Sequence, residues 1–334
     1  MKLQQRISAF SKLGDAIFEN KEKLKQGNYN PWFTVENIDF ALTEISKSLN
    51  KENFEKWISA YPELQTEKKT KRVGVITAGN IPLVGFHDFL SVLISGNVFT
   101  GKLSSKDDKL IRKVIDLLIE IEPKFKKYIT LTDGKLENFD AVIATGSNNS
   151  ARYFEYYFGK YPHIIRKNRN SAAVLTGEES DEELQLLADD IFLYFGLGCR
   201  SVSKLFMPDG CDLDMIFRNS LVHKNVIHHN KYANNYDYNR VIYMMNNIEF
   251  KDNGIMLMKE DLGYASPVSV VYFENYSKLD TVKKRLQSDN EMIQCVVSKK
   301  GVIENVVNFG ETQKPQLWDY ADNIDTIEFL LQLI

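Results

Sequence analysis

The strongest constraint in this sequence is a change of hydrophobic period near residue 70. Before it, from Gln4 to about Tyr61, apolar residues recur three and four positions apart (Ile7, Phe10, Leu13, Ile17, then Ile38, Ala41, Leu42, Ile45), the spacing of amphipathic helices. After it, Arg72-Val-Gly-Val-Ile-Thr77, Asn97-Val-Phe-Thr100, Tyr128-Ile-Thr-Leu-Thr132 and Ala141-Val-Ile-Ala144 are short β-rich runs separated by helix-like segments. That alternation predicts a doubly wound, mostly parallel α/β sheet. A helix is expected over 181–194, with an acidic first turn and Leu184, Leu187, Ala188 and Ile191 on one face, running into Phe195-Gly-Leu-Gly-Cys199-Arg-Ser. Beyond it come a strand (204–207), a helix (about 213–223), a polar Asn- and Tyr-rich stretch near 230–240 read as a hairpin or loop, and an α/β run over 241–297 read as a second lobe. The division expected is a helical segment (1–70) attached to a first lobe (71–178), a second lobe (179–310), and a C-terminal piece (311–334) whose final helix, 325–334, sequence places on neither lobe.

Composition narrows the function classes. With 334 residues, 43% of them hydrophobic, the chain can bury one large core or two ordinary ones. A net charge of −3 offers no field for a phosphate backbone, and the lysines around residues 21–25 are interleaved with glutamate, so no nucleic acid partner is expected. Three cysteines without a CxxC pair make neither a disulfide framework nor a zinc site, which points to reduced thiols, no metal and a cytoplasmic setting. No stretch approaches the roughly 18 apolar residues of a membrane span, and the N-terminus lacks a secretory apolar core.

Three places could carry chemistry. In Thr77-Ala-Gly79-Asn80-Ile-Pro82 a strand ends in a Gly-Asn turn before a helix, so Asn80 reads either as a simple helix cap or as an amide facing a ligand at the strand's carboxyl end. Ala144-Thr-Gly146-Ser147-Asn148 joins a strand to a helix start, where backbone N–H groups and the helix dipole favour a phosphate. It lacks the G-x-G-x-x-G fingerprint, and on this pattern alone a structural connection is the preferred reading. Cys199 has glycines at 196 and 198 that let a substrate approach and Arg200 beside it to favour a thiolate, against the alternative of an inert buried thiol. Cys211 lies between Asp209 and Asp212, and Cys295 in an apolar strand, so both are poor nucleophiles. None of the five histidines is marked by sequence as a partner for Cys199, which leaves a cysteine hydrolase poorly supported.

Taken in order, these segments resemble the aldehyde dehydrogenase superfamily, most closely its LuxC-type acyl-CoA reductase branch. Val73-Gly-Val-Ile-Thr-Ala-Gly-Asn80-Ile-Pro82 is similar to the family's Asn-x-Pro segment, and Ser95-Gly96-Asn97-Val-Phe-Thr-Gly-Lys102 to its T-G-N-x-V-x-x-K segment. Thr145-Gly146-Ser147 resembles the F-T-G-S turn, Gly198-Cys199 the nucleophile motif, and Glu260-Asp261-Leu262-Gly263 through Pro267-Val268 the E-x-F-G-P-V segment. The closing run from Asn308-Phe-Gly-Glu-Thr-Gln to Thr326 resembles the LuxC branch in particular. The resemblance implies an aldehyde-dehydrogenase-like fold of two doubly wound α/β lobes, a Rossmann-like cofactor lobe and a catalytic cysteine lobe. It implies Cys199 as nucleophile, Asn80 as oxyanion donor, Lys102 at the adenosine ribose, Gly146 and Ser147 near the cofactor phosphates, and Glu260 or Asp261 at the nicotinamide ribose. The activity implied is reduction of an acyl thioester, on CoA or acyl carrier protein, to an aldehyde by a homo-oligomer. An acyl-phosphate reductase and a non-catalytic scaffold are the alternatives.

Departures from the pattern carry information as well. Where hydrolytic members have E-L-G-G-K, with a glutamate that activates water, this chain has Arg166-Lys-Asn-Arg-Asn170-Ser171. The absence of that glutamate fits an acyl-cysteine that water should not reach. Ala151 replaces a glycine of the phosphate turn, and three extra residues separate Gly263 from Pro267. Ser105 occupies the position where NAD-preferring members carry a glutamate, and Lys106 follows, so a 2′-phosphate is tolerated and attracted and the expected cofactor is NADP(H). Steady-state kinetics should therefore give a higher kcat/KM with NADPH than with NADH, and a strong preference for NADH would overturn the reading of Ser105 and Lys106.

Overall fold

The computed structural model describes residues 1–27, 29–66 and 68–333. They form two compact units, one built from residues 1–168 and 316–334, the other from 169–315. The first begins with helices α1 (Leu3–Glu19), α2 (Lys21–Lys25), α3 (Val35–Ser48) and α4 (Lys51–Ser59). Their starts are set locally, since the Thr34 and Asn50 side chains cap α3 and α4 by accepting from the N–H of Asn37 and Asn53. A parallel sheet of five strands follows: β1 (Arg72–Ile76), β2 (Val98–Lys102), β3 (Ile129–Leu131), β4 (Ala141–Thr145) and β5 (His163–Arg166), interleaved with α5 (Phe86–Ile94), α6 (Lys109–Ile121) and α7 (Asn148–Phe158). The spatial order is β3-β2-β1-β4-β5. The chain thus winds outward from β1 in one direction, then returns to wind in the other. The crevice at the carboxyl ends of β1 and β4 is the switch point where ligands bind in open α/β sheets. Val73, Val75, Phe99 and Ile143 are fully buried, as expected for a parallel sheet covered on both faces. Phe10 of α1, Phe89 of α5 and Phe99 of β2 meet edge to face, with ring centroids 6.1 and 5.0 Å apart.

The second unit has six strands in the order β11-β6-β7-β10-β9-β8: β6 (Asn170–Val174), β7 (Val202–Pro208), β8 (Lys251–Asp252), β9 (Leu257–Glu260), β10 (Val270–Tyr276) and β11 (Ile293–Val297). All pair in parallel except β8 with β9. Helices α8 (Asp181–Phe192), α9 (Leu213–Ser220), α10 (Asn230–Met245) and α11 (Leu279–Ser288) accompany them. Two features differ from the sequence reading. Strand β6 falls within the span 71–178, yet it pairs with β7 and β11 and so belongs to the second sheet. The stretch near 230–240 forms the first part of helix α10 and not a hairpin. Its buried face is made of tyrosines and an asparagine at helical spacing, Tyr232, Tyr236, Asn239 and Tyr243. The Tyr232 hydroxyl donates to the Ile255 carbonyl at 2.8 Å and that of Tyr236 to Asp252 at 2.6 Å, so these rings pack without leaving an unsatisfied oxygen.

The chain ends in the first unit. Helix α12 (Thr326–Leu331) forms the described part of the expected helix 325–334, and Ile334 lies outside the described residues. Leu317, Tyr320, Ile327 and Leu330 join the core of α1, α4 and α5. Trp57 donates from Nε1 to the Tyr320 hydroxyl at 2.7 Å. At the end of β5, the buried Arg166 guanidinium binds Asp88 of α5 at 2.6 Å and Thr326 of α12 at 3.0 Å. Among the described residues no helix is long and apolar enough to cross a membrane. Removing one partner of a buried pair strands a charge in the interior, so Asp88→Ala should destabilise the protein by about 3–5 kcal/mol, measured by urea unfolding. A loss below about 1 kcal/mol, the size expected of an exposed ion pair, would contradict the role given to it.

Candidate active site

The approach to Cys199 is set by an abrupt helix end. Helix α8 opens with a reciprocal capping box between Ser180 and Glu183 and stops at Phe192, two residues short of the expected 194. It stops because Tyr194, Phe195 and Gly196 are all left-handed, with φ of 54°, 58° and 72°. Such a conformation is ordinary for glycine and costly for two aromatic residues. Their rings are buried, and that of Phe195 lies 4.3 Å from His229 and 6.0 Å from Tyr232. The chain then makes a tight turn over residues 198–201, closed by the Ser201 N–H donating to the Gly198 carbonyl at 3.0 Å. Cys199 is the second residue of this turn and half-buried, directly before β7.

Ser171, the second residue of β6, is fully buried and donates its hydroxyl to the Cys199 carbonyl at 3.0 Å. The same hydroxyl lies 3.1 Å from the sulfur of Cys295, whose thiol burial pushes up to about 11. Burial also raises the Cys211 thiol, with Glu179 and Asp212 adding to the effect. Histidines 87, 163 and 223 have partners of their own, the Leu317 carbonyl, the Tyr161 carbonyl and Asp189.

In the first unit, Asn80 does not cap a helix as one sequence reading held. Helix α5 begins only at Phe86, with Gly85 at its N-cap, and Asn80 sits in a bend beyond the end of β1. Leu83, with φ of 58°, makes the intervening backbone non-helical. Gly79 is required by a close approach, since a side chain there would meet Ser104 at 2.5 Å. Ser104 ties the two loops further, donating its N–H to Thr77 Oγ1 at 3.1 Å and accepting from the Lys106 N–H at 3.3 Å. Asn80, Lys102, Ser105 and Lys106 are therefore brought together on adjoining loops at the carboxyl ends of β1 and β2. Ser105 and Lys106 are exposed, and the Lys102 ammonium has no hydrogen bond or ion pair among the described residues. On the other side of β1, at the end of β4, the Gly146 N–H is taken by the Arg166 carbonyl at 3.3 Å. Ser147 is the N-cap of α7 and accepts from the Ser150 N–H, so Asn148 and Asn149 begin the helix with N–H groups that have no intrahelical acceptor.

The second unit separates the two acids that sequence left as alternatives. Asp261 is committed internally: one oxygen binds Lys259 at 2.6 Å, the other accepts from the Gly263 N–H at 2.8 Å, and the Lys259 ammonium holds the carboxyl below its ordinary range. Its carbonyl accepts from the buried Lys204 ammonium, which also binds Glu274 at 3.1 Å. Glu260 is exposed and has no hydrogen bond or ion pair among the described residues. It pairs with Phe273 of β10, itself opposite Leu205 of β7, the strand that Cys199 precedes.

Two buried carboxylates escaped the sequence reading. Asp190 of α8 is 1% exposed and accepts from Gly310 and Thr312. Asp107, 6% exposed, accepts from the Leu83 N–H at 2.8 Å and so fastens the loop of Lys106 to the backbone just after Asn80. Burial pushes its carboxyl from 3.8 up to about 7, against the Leu83 and Val84 N–H groups that draw it down. The folded protein then binds this proton more tightly than the unfolded chain, so the contribution of Asp107 to stability falls as pH rises between those values. Asp107→Asn keeps an acceptor for Leu83 without the buried charge. Its melting temperature should exceed that of the wild type by more at pH 8 than at pH 5, and a gap that stays constant or shrinks with pH would exclude this account.

The family model described as Acyl-CoA reductase (LuxC) matches residues 36–224, more than half of the chain. No curated protein matches the sequence. The fold is similar to that of aldehyde dehydrogenase 21 from Physcomitrella patens, solved with the reaction product succinate, at 13% identity and a TM-score of 0.72 over 99% of this chain and 84% of that one. It is also similar to an NAD-dependent benzaldehyde dehydrogenase from Corynebacterium glutamicum (11% identity, TM-score 0.68, 92% of this chain and 81% of that one). The aldehyde dehydrogenase KauB from Pseudomonas aeruginosa superposes comparably (13% identity, TM-score 0.67, 89% and 72%). Because the family model covers more than half of its length, the chain belongs to the acyl-CoA reductase (LuxC) family.

Proposed function

We propose that the protein reduces an acyl thioester to an aldehyde with NADPH, carrying the acyl group on Cys199. The observation that carries this reading is the turn over residues 198–201, which presents a half-buried thiol at the amino end of β7. The backing group at that turn is a serine whose proton is already given to a backbone carbonyl, so Ser171 is not placed to activate water. An acyl-cysteine formed here would be spared hydrolysis and left for reduction.

In the reaction the Cys199 sulfur attacks the thioester carbonyl, with the Asn80 amide and the Cys199 N–H donating to the developing oxyanion. The carbon–sulfur bond to CoA or acyl carrier protein breaks and the carrier thiolate leaves. The nicotinamide cofactor, when bound, supplies the hydride that reduces the acyl group. Collapse of the resulting thiohemiacetal releases the aldehyde and returns the Cys199 thiolate. The chain's residues fit such a cofactor at several points. The first-turn N–H groups of Asn148 and Asn149 and the α7 dipole suit a pyrophosphate, with Ser147 shaping the turn and Gly146 completing it through its backbone. Lys102 is uncommitted and would bind the adenosine ribose, with Ser105 and Lys106 receiving the 2′-phosphate. Of the acidic pair, Glu260 is open to a ribose hydroxyl and Asp261 is not.

Cys199→Ala should abolish covalent labelling by a radiolabelled acyl-CoA. Labelled enzyme accumulating in that variant would refute the assignment. Asn80→Ala should lower kcat by about 100-fold to 1,000-fold, the usual cost of one oxyanion donor, while the melting temperature stays near that of the wild type.

A further inference from the structure

Before leaving the second unit, the chain passes behind the Cys199 turn over residues 308–315. Asp190 grips this segment with three hydrogen bonds, from the Gly310 N–H at 2.8 Å, the Thr312 N–H at 3.0 Å and the Thr312 hydroxyl at 2.7 Å. Thr312 is completely buried, and Asp190 belongs to α8, the helix that leads into the left-handed run before Cys199. The next residue, Gln313, is 8% exposed and reaches the turn itself: its Nε2 donates to Ser201 Oγ at 3.2 Å. Its amide also stands over Gly198, where an added side chain would meet it at 3.5 to 3.6 Å. One side chain thus touches the first and the fourth residues of the four-residue turn in which Cys199 is second.

We infer that Gln313 is a positioning residue for Cys199, setting the pose of its turn through Ser201, and that Asp190 and Thr312 hold Gln313 in place. The inference rests on the reading of Cys199 as the acyl carrier, and it adds what orients that carrier. The turn is closed by the backbone hydrogen bond from Ser201 to Gly198 and follows two aromatic residues in a left-handed conformation, so its pose depends on the groups packed against it. Ser171 restrains the Cys199 carbonyl from the β6 side, and Gln313 restrains the turn from the returning segment. A nucleophile held from two sides stays close to the attack geometry that covalent catalysis needs. Gln313 does this without contacting a reacting atom. A neutral hydrogen bond to one hydroxyl contributes little to global stability, so its loss should be felt in rate more than in folding.

The experiment compares full-length wild type with Gln313→Met, which keeps the volume without the amide, and with Thr312→Val and Thr312→Ser. Four quantities are measured: the rate of Cys199 alkylation by iodoacetamide (from peptide mass spectrometry), kcat and KM with an acyl-CoA, and the melting temperature. Gln313→Met should lower both the alkylation rate and kcat by about 10-fold, less than the roughly 100-fold that a full ångström of misplacement costs, with KM and melting temperature little changed. Thr312→Val should show the same loss and Thr312→Ser should restore it. Wild-type alkylation and turnover in Gln313→Met would overturn the inference, as would a loss that only follows melting temperature. Failure of wild-type Cys199 to accept an acyl group would sink the proposed function alone, because alkylation reports on the pose of the thiol whatever its substrate.

Discussion

The backbone leading to Cys199 holds a conformation that it would abandon if left alone. Tyr194 and Phe195 are left-handed, each at a cost of order 1–3 kcal/mol, and such strain persists only where the surroundings leave no other choice. Here those surroundings are the buried rings themselves. Each full burial of an aromatic side chain is worth about 1.5–3 kcal/mol, similar in size to the strain, and relaxing the backbone would take both rings out of their buried positions, that of Phe195 from its packing against His229 and Tyr232. The abrupt turn that brings the thiol to the head of β7 is thus a by-product of where two aromatic side chains must go.

Buried ionisable groups in both units follow a common pattern. Asp107 fastens the loop of β2 to the loop of β1, and Asp190 fastens the last segment of the second unit to α8. Lys204, within β7, fastens the strand to the carbonyl of Asp261 and so fixes the backbone that carries Glu260. In each case the partner is a backbone group of a loop, and that loop has no regular secondary structure to satisfy it. Placing a charge in the interior is costly, and these three bring definition to loop backbone that apolar packing alone would leave loose.

Much of this was legible from residue patterns. Four of the five strands of the first sheet and most of helix α8 stand in periodicity and short segments, because buried parallel strands and amphipathic helices impose local composition. Helix α10 was obscured because its buried face is built of tyrosine and asparagine, which score as polar although Tyr232, Tyr236 and Tyr243 keep helical spacing. The left-handed aromatics could not be foreseen, since tertiary packing overrides their local preference. Strand β6 reads equally well in either sheet, because only pairing across the fold decides it. Gln313 stands in the closing run that resembles the LuxC branch and Asp190 in the expected helix 181–194, yet neither pattern shows the contacts they make more than a hundred residues away.

The core of the first unit includes Leu317, Tyr320, Ile327 and Leu330, whereas the second is one uninterrupted stretch, 169–315. During synthesis the amino-terminal half therefore emerges first, yet its core is complete only once residues beyond the entire second unit have been added.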